Sequence, residues 1–513
     1  MVMRALIVFA WLVALAGCRG DVEGSGAVSA DAGETPAPQF GSADVGGTPP
    51  RQLSSAAAPG EDAQVPDLGT RQQGVDWPRF LGPTGDSKSP ETGILQRWPR
   101  QGPPIVWQRE IHGGYGIGTV SRGRYFQMDR IGDRAILDCV NSQTGEHLWS
   151  FDYASDYADI FGYDGGPRCS PVIDGDRVYI FGSEGILHCL RVTDGEPIWK
   201  VDTQRQYGVV QNFFGVGSTP IVEGDLLIVQ IGGSPPESQN VPPGRLDRVA
   251  GNGTCVVAFH KYTGEEKYRL SDELASYAAP VAATIDSRRW CFVFARGGLL
   301  GFAPTSGKLD FFYSWRASDL ESVNASTPVV VGNEVFISET YGPGSSLLRV
   351  REGGYEIVWR DANPQAARGR RTLHSMQTHW NTPIHHEGYL YGSSGRHSSD
   401  AELRCIEWST GKVLWSEPGL TRCSLLYADG HFICLGEDGA LRLIKANPQR
   451  YERVSEVILL AEEDARDAAD RFGFGRQPLL KYPAWAAPIL SHGLMYVRGR
   501  DRVVCLELIP EDA

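Results

Sequence analysis

The chain of 513 residues has almost none of the motifs that mark chemistry at a glance. No glycine-rich loop ends in Lys-Ser or Lys-Thr, which removes the commonest phosphate cradle. No grouping reads as Ser-His-Asp, and no recognisable carboxylate pair stands out, so hydrolysis has no visible carrier. None of the ten cysteines is next to another in sequence, and none opens a CxxCH stretch, the attachment signature of c-type haem. Beyond residue 17 there is no apolar run of about 18 residues, so no later segment reads as a membrane span. Positive charge is in deficit: 49 Lys and Arg against 62 Asp and Glu give a net charge of −13, which argues against a nucleic-acid partner.

What is present begins with a leader. MVMRALIVFAWLVALAGC has one cation, Arg4, and then an apolar run to Gly17, the form of a secretory signal over residues 1–17. Its last four residues, Leu15-Ala16-Gly17-Cys18, resemble the lipobox of bacterial lipoproteins, which makes Cys18 the candidate lipidation site. The alternative is an ordinary cleaved signal with Cys18 an incidental thiol. Acyl chains would tether the protein without spanning the membrane. From Cys18 to Gly74 the chain is Gly, Ala, Ser, Pro and Asp with few large apolar residues, too little to offset its ordering entropy. It reads as a tether whose typical reach is about 40 Å. Residues 75–509 form the folded body.

That body repeats. A small residue, a proline, a short apolar strand and a tight turn recur from residues 119, 170, 219, 279, 327, 382, 424 and 487, roughly 40–65 residues apart. Within a copy such as VYIFGSEGILHCLRV, alternation and turn signals supply the strands of one four-stranded antiparallel unit. Eight such copies predict an all-β fold, an eight-bladed propeller whose blades are stable only when stacked. Most copies close on a phrase such as CVNSQTGEHLW, CLRVTDGEPIW or CIEWSTGKVLW, and the phrase is lost after Lys445. The glycine permits positive φ in a hairpin, and the aromatic is large enough to wedge between blades. Trp149, Trp199, Trp359 and Trp415 hold that slot, with Tyr268 and Phe311 in two other blades. The eighth copy stops at Leu508 without an outer strand, whereas PPIVWQREI at 103–111 is an outer strand without a blade. The amino end is therefore expected to complete the last blade, with Trp107 in the docking slot.

The tryptophan phrase around a ring of eight, preceded by WPRFLGPTGDSKSP at 77–90, resembles the PQQ-like (quinoprotein) β-propeller repeat proteins. That group contains both pyrroloquinoline-quinone alcohol dehydrogenases and a non-catalytic propeller lipoprotein of outer-membrane protein assembly. The resemblance covers about residues 75–509. It implies either an exported, membrane-anchored binding or scaffold propeller on the periplasmic face or cell surface, or a dehydrogenase holding pyrroloquinoline quinone with Ca²⁺. The dehydrogenases place the quinone between a tryptophan and a disulfide of adjacent cysteines, and that cysteine pair is missing here. The scaffold reading, with no cofactor, no metal and a monomeric chain, is favoured. Its partner would be an envelope protein or a small ligand, a glycan included, on a propeller face.

Four cysteines, Cys139, Cys189, Cys405 and Cys505, share one repeat position with Ala258, Gly301 and Leu443, which marks a packing slot and not a disulfide framework. His374, Met376, His379, His385 and His386 cluster, but with no closed zinc spacing, and His385 and His386 must face opposite ways in a strand. Residues 232–253 read as an exposed insertion in the third blade. VILLAEEDARDAADRFG at 457–473 has the spacing of an amphipathic helix.

Counting back three residues from the start of each innermost strand gives one ring: Ile117, Arg168, Gly217, Tyr277, Ala325, Trp380, Arg422 and Trp485. Pure packing would repeat similar residues in every blade. Two arginines, two tryptophans and a tyrosine suggest instead a site for a planar or anionic ligand at one mouth of the channel. Arg168, Tyr277, Trp380, Arg422 and Trp485 are the candidate ligand-binding residues. The competing expectation is a plug in which arginine lies over tryptophan.

Overall fold

The alternating apolar positions of each copy place one set of side chains on each face of a strand, so a blade buries both faces only between two neighbours. The computed structural model describes residues 64–71, 73–361, 374–461 and 478–511. It contains eight four-stranded antiparallel sheets. Blade 1 runs from Thr119–Ser121 innermost to His147–Ala154 outermost, and blades 2 to 7 follow within residues 172–202, 221–270, 281–314, 329–360, 384–418 and 423–458. Blade 8 takes three strands, Ile489–Ser491, Leu494–Arg498 and Arg502–Glu507, from the carboxyl end. Its fourth is Ile105–Glu110, which pairs antiparallel with Arg502–Glu507. The ring is closed by the N-terminal strand.

The docking aromatics act across blade boundaries. Trp107 of blade 8 donates its indole N–H to the Ser142 carbonyl of blade 1 at 2.8 Å, and Trp149 of blade 1 donates to Val192 of blade 2 at 3.1 Å. Trp199, Trp359 and Trp415 reach the carbonyls of Lys261, Trp408 and Asn447 in the next blades at 3.0, 2.8 and 2.9 Å. Tyr268 does the same with its hydroxyl, to Pro304 at 2.6 Å. Directly across the sheet from these aromatics lies the small-residue slot: Cys139 pairs with Trp149, Cys189 with Trp199, Ala258 with Tyr268, Gly301 with Phe311, Cys405 with Trp415 and Cys505 with Trp107. A register shift beside each pair tilts the aromatic toward its neighbour. The nine described cysteines are buried and unpaired, consistent with a packing role; Cys18 lies outside the described residues.

Three sequence expectations are adjusted. The folded body begins ahead of Val75, because Val65 is buried, Leu68 N–H donates to the Arg122 carbonyl, and Arg71 pairs with Glu507 at 3.0 Å. Val457 and Ile458, expected in a helix, belong to the outermost strand of blade 7, Arg453–Ile458, while residues 462–473 of that expected helix lie outside the described residues. The insertion at 232–253 is not simply an exposed loop: it contains two short 3₁₀ turns, and its Leu246 packs with Phe213 and Val323.

Candidate functional site

The chain crosses the channel before it enters the ring. Trp77 pairs with Val120 of blade 1, and the Pro78 carbonyl accepts from Ile173 N–H of blade 2 at 2.8 Å. Ten residues later, Ser87 and Ser89 exchange backbone hydrogen bonds with Tyr427 of blade 7, each at 2.9 Å. Between these moorings Phe80 and Leu81 turn into the channel and form its floor. The result is a cup of about 600 Å³.

All eight predicted ring positions line this cup. The structure brings together the five candidates Arg168, Tyr277, Trp380, Arg422 and Trp485, with both arginines already engaged by the protein. Neither arginine presents a free fork. Arg168 is held by Asp159 at 2.7 Å and by the carbonyl of Asp164 at 2.7 Å, with Tyr115 and Tyr157 beneath its guanidinium at 5.3 and 5.6 Å. Arg422 binds both oxygens of Glu437, through Nε at 3.0 and 3.1 Å and through a terminal nitrogen at 2.6 Å. Its guanidinium lies over Trp380 at 4.2 Å and Trp485 at 5.6 Å. Trp485 also donates to Glu437, at 2.9 Å. Burial would raise the Glu437 carboxyl, but hydrogen bonds from Arg422, Ser398 and Trp485 bring it below the ordinary value, so it stays ionised. The arginines are thus neutralised from within the protein, and the expected plug of arginine over tryptophan is present on one wall.

The remainder of the cup is aromatic. Trp485 touches Trp380 at 4.8 Å and Tyr115 at 4.6 Å between ring centres, tilted by 45° and 52°. On the opposite wall Tyr277 packs on Phe214, which leads outward to Tyr163 and Phe161 at the mouth. Gly217 is glycine for a local reason: a Cβ there would sit 2.6 Å from the Tyr277 ring. His379, one residue before Trp380, accepts from or donates to the Tyr341 hydroxyl at 3.1 Å. Burial first, then the cations Arg422 and Arg396, push its pKa down to about 3, so it is neutral. Arg396 is different from the other two cup arginines. It lies over Tyr341 at 4.4 Å, and among the described residues no carboxylate is within ion-pairing distance. Sequence reasoning missed Arg396, Asp159 and Glu437, all of which lie off the ring register.

The histidine cluster does not converge. His385 packs edge-on against Trp408 and His386 against Tyr427, on opposite faces of their strand. Among the described residues no group of three or more His, Cys, Asp or Glu could hold a metal ion.

Residues 133–417 match the family whose description is outer membrane protein assembly factor BamB, of the PQQ-like repeat type. The chain belongs to that family. The matched stretch runs from blade 1 to the outermost strand of blade 6. Among solved structures, BamB from Moraxella catarrhalis is similar at 13% identity and a TM-score of 0.47, covering 79% of this chain and 97% of its own. The quinohemoprotein alcohol dehydrogenase from Comamonas testosteroni is similar at 12% identity and a TM-score of 0.55, covering 84% of this chain and 80% of its own, a likeness of fold. No curated protein sequence matches.

A quinone cofactor can be tested against the cup of this BamB-family propeller. A planar quinone needs an open ring face to stack on, and Trp380 and Trp485 lean on each other at 45° with the Arg422 guanidinium lying over both. Its several carboxylates need several open cations, and of the three cup arginines Arg168 and Arg422 are already bound to Asp159 and Glu437, which leaves Arg396. The residues present do not fit pyrroloquinoline quinone with Ca²⁺.

Proposed function

We propose that this BamB-family chain is a non-catalytic binding propeller of the cell envelope, anchored through a lipidated Cys18, whose binding site is the cup and its mouth. One observation carries this reading: on one wall of the cup Arg422, Glu437 and two tryptophans complete one another's interactions, so these side chains give the wall its shape. The family's description as an outer membrane protein assembly factor supports an envelope location and a protein partner. The exposed aromatics Phe161, Tyr163 and Tyr482, at 49%, 58% and 55% exposure, place apolar surface at the mouth.

The test uses the full chain in its own envelope. A photoreactive phenylalanine at position 163 is expected to form covalent adducts, and one at the exposed outer-edge position 357 is not. Cys18→Ser should move the protein from the membrane fraction to the soluble one. Equal labelling at both positions, or unchanged membrane association, would contradict the reading.

A further inference from the structure

We infer that the cup is a carbohydrate site, taking a neutral oligosaccharide whose sugar rings rest on its tilted aromatic walls. This rests on the reading of the cup as a binding site and names the class of its ligand.

Three features of the cup select that class. The first is charge. Arg168 and Arg422 are cancelled by Asp159 and Glu437, whose side chains are only 2% and 1% exposed, so the counter-charges come from behind the wall and a ligand does not have to supply them. An anionic ligand entering the cup would meet these carboxylates at the backs of the very guanidinium groups it sought. The remaining ionic groups among the cup-lining residues are Arg396 and the exposed Glu321, one of each sign. The walls as a whole ask for a neutral guest.

The second is the disposition of the rings. A flat heteroaromatic molecule gains most from a parallel-sided slot, whereas neighbouring rings here meet at 45° (Trp380 and Trp485), 52° (Tyr115 and Trp485) and 56° (Phe214 and Tyr277). Such walls present separate single faces at different angles. A puckered sugar ring has one apolar C–H face to lay on each such surface, and successive rings of an oligosaccharide turn relative to one another as the walls do.

The third is that polar groups accompany the aromatics. Thr382, Ser398 and Ser424 line the same cup as Trp380, Tyr341 and Trp485; Ser398 and Ser424 donate to Glu437 and to the Trp485 carbonyl and Thr382 accepts from Thr327 N–H, so each hydroxyl keeps the other half of its bonding capacity for a sugar hydroxyl. A carbohydrate needs both at once, because its hydroxyls radiate from the edge of a ring whose face is apolar. The volume of about 600 Å³ falls inside the range of roughly 300–1,000 Å³ of small-molecule sites. Phe161, Tyr163 and Tyr482 continue the aromatic surface out of the mouth, so a longer chain could extend beyond the cup.

The experiment titrates the purified folded protein with cellotetraose, maltotetraose and chitotetraose, and in parallel with trigalacturonate and isophthalate. Tryptophan fluorescence and saturation-transfer NMR report binding. Saturable binding of at least one neutral tetrasaccharide is expected, weakened about tenfold in Tyr163→Ala, whose exposed position leaves the melting temperature unchanged. Preference for trigalacturonate or isophthalate overturns the neutral-sugar assignment, as does binding that Tyr163→Ala and Trp380→Ala both leave intact, or no binding by any neutral sugar. Those outcomes leave the non-catalytic reading standing. That reading fails on a different result, quinone binding with electron transfer to a dye.

Discussion

The guanidinium of Arg422 lies 4.2 Å above the ring of Trp380 while gripping both oxygens of Glu437 from the side. The two residues that sequence alone offered as ligand contacts are therefore first of all contacts of each other. Removing the arginine strands a carboxylate that is 1% exposed. Arg422→Ala is expected to lower stability by about 3–5 kcal/mol, read from chemical denaturation. Arg422→Lys should recover only part, since an ammonium cannot make the fork or lie flat on the indole. A melting curve unchanged by Arg422→Ala would show that the pair contributes nothing to the wall.

Closure of the ring depends on a second pair. The Trp107 indole of blade 8 lies on Gly145 of blade 1, where φ is 71° and an added Cβ would come within 2.8 Å of the ring. Gly145→Ala should cost roughly 1–3 kcal/mol through overpacking and the left-handed backbone. Trp107→Ala should cost about 3–5 kcal/mol through the cavity it leaves. Because both act on one contact, the double variant should fall short of the sum of the singles, and full additivity would place the two effects in separate contacts.

Blade 2 carries a pH dependence. His188 is buried between Phe151 and Tyr153, and its Nδ1 has no hydrogen-bond partner among the described residues. Burial, then Lys200, lowers its pKa from 6.5 to about 4. The unfolded chain takes up this proton first, so the stabilisation is present above pH 6.5 and is lost as pH falls toward 4. At most about 3 kcal/mol is involved. His188→Leu should flatten the acid limb of stability against pH over that interval. An unchanged acid limb would assign the loss to other groups. His492 works in the opposite sense: burial would lower it, but Asp76 and the Arg71 carbonyl raise it, so its hold on the segment that leads into the cup floor weakens as pH rises.

Much of the architecture could be read from the sequence because a propeller writes itself repeatedly. A slot filled by Cys139, Cys189, Ala258, Gly301 and Cys505 means that something large stands opposite in each copy, and the register places the docking aromatic there. The ring positions likewise follow from counting within a repeat. What the repeat cannot carry is anything that happens once. The floor comes from Phe80 and Leu81, in a segment with no counterpart in the blades. Asp159 reaches Arg168 from an irregular connection nine residues earlier. Glu437 was within reach of inference: Cys423 pairs with Gly436, so Arg422 and Glu437 stand side by side one step beyond the last pair of a hairpin. A count along the innermost strands alone passes over Glu437, which stands just beyond the end of the second strand of its blade.

The most direct measurement is a titration of the purified protein with pyrroloquinoline quinone and Ca²⁺, followed by the absorbance of bound quinone and by reduction of an electron-accepting dye with alcohols. A binding propeller whose cup arginines are already held by Asp159 and Glu437 predicts no stoichiometric quinone complex and no dye reduction. A one-to-one complex that reduces the dye would contradict it.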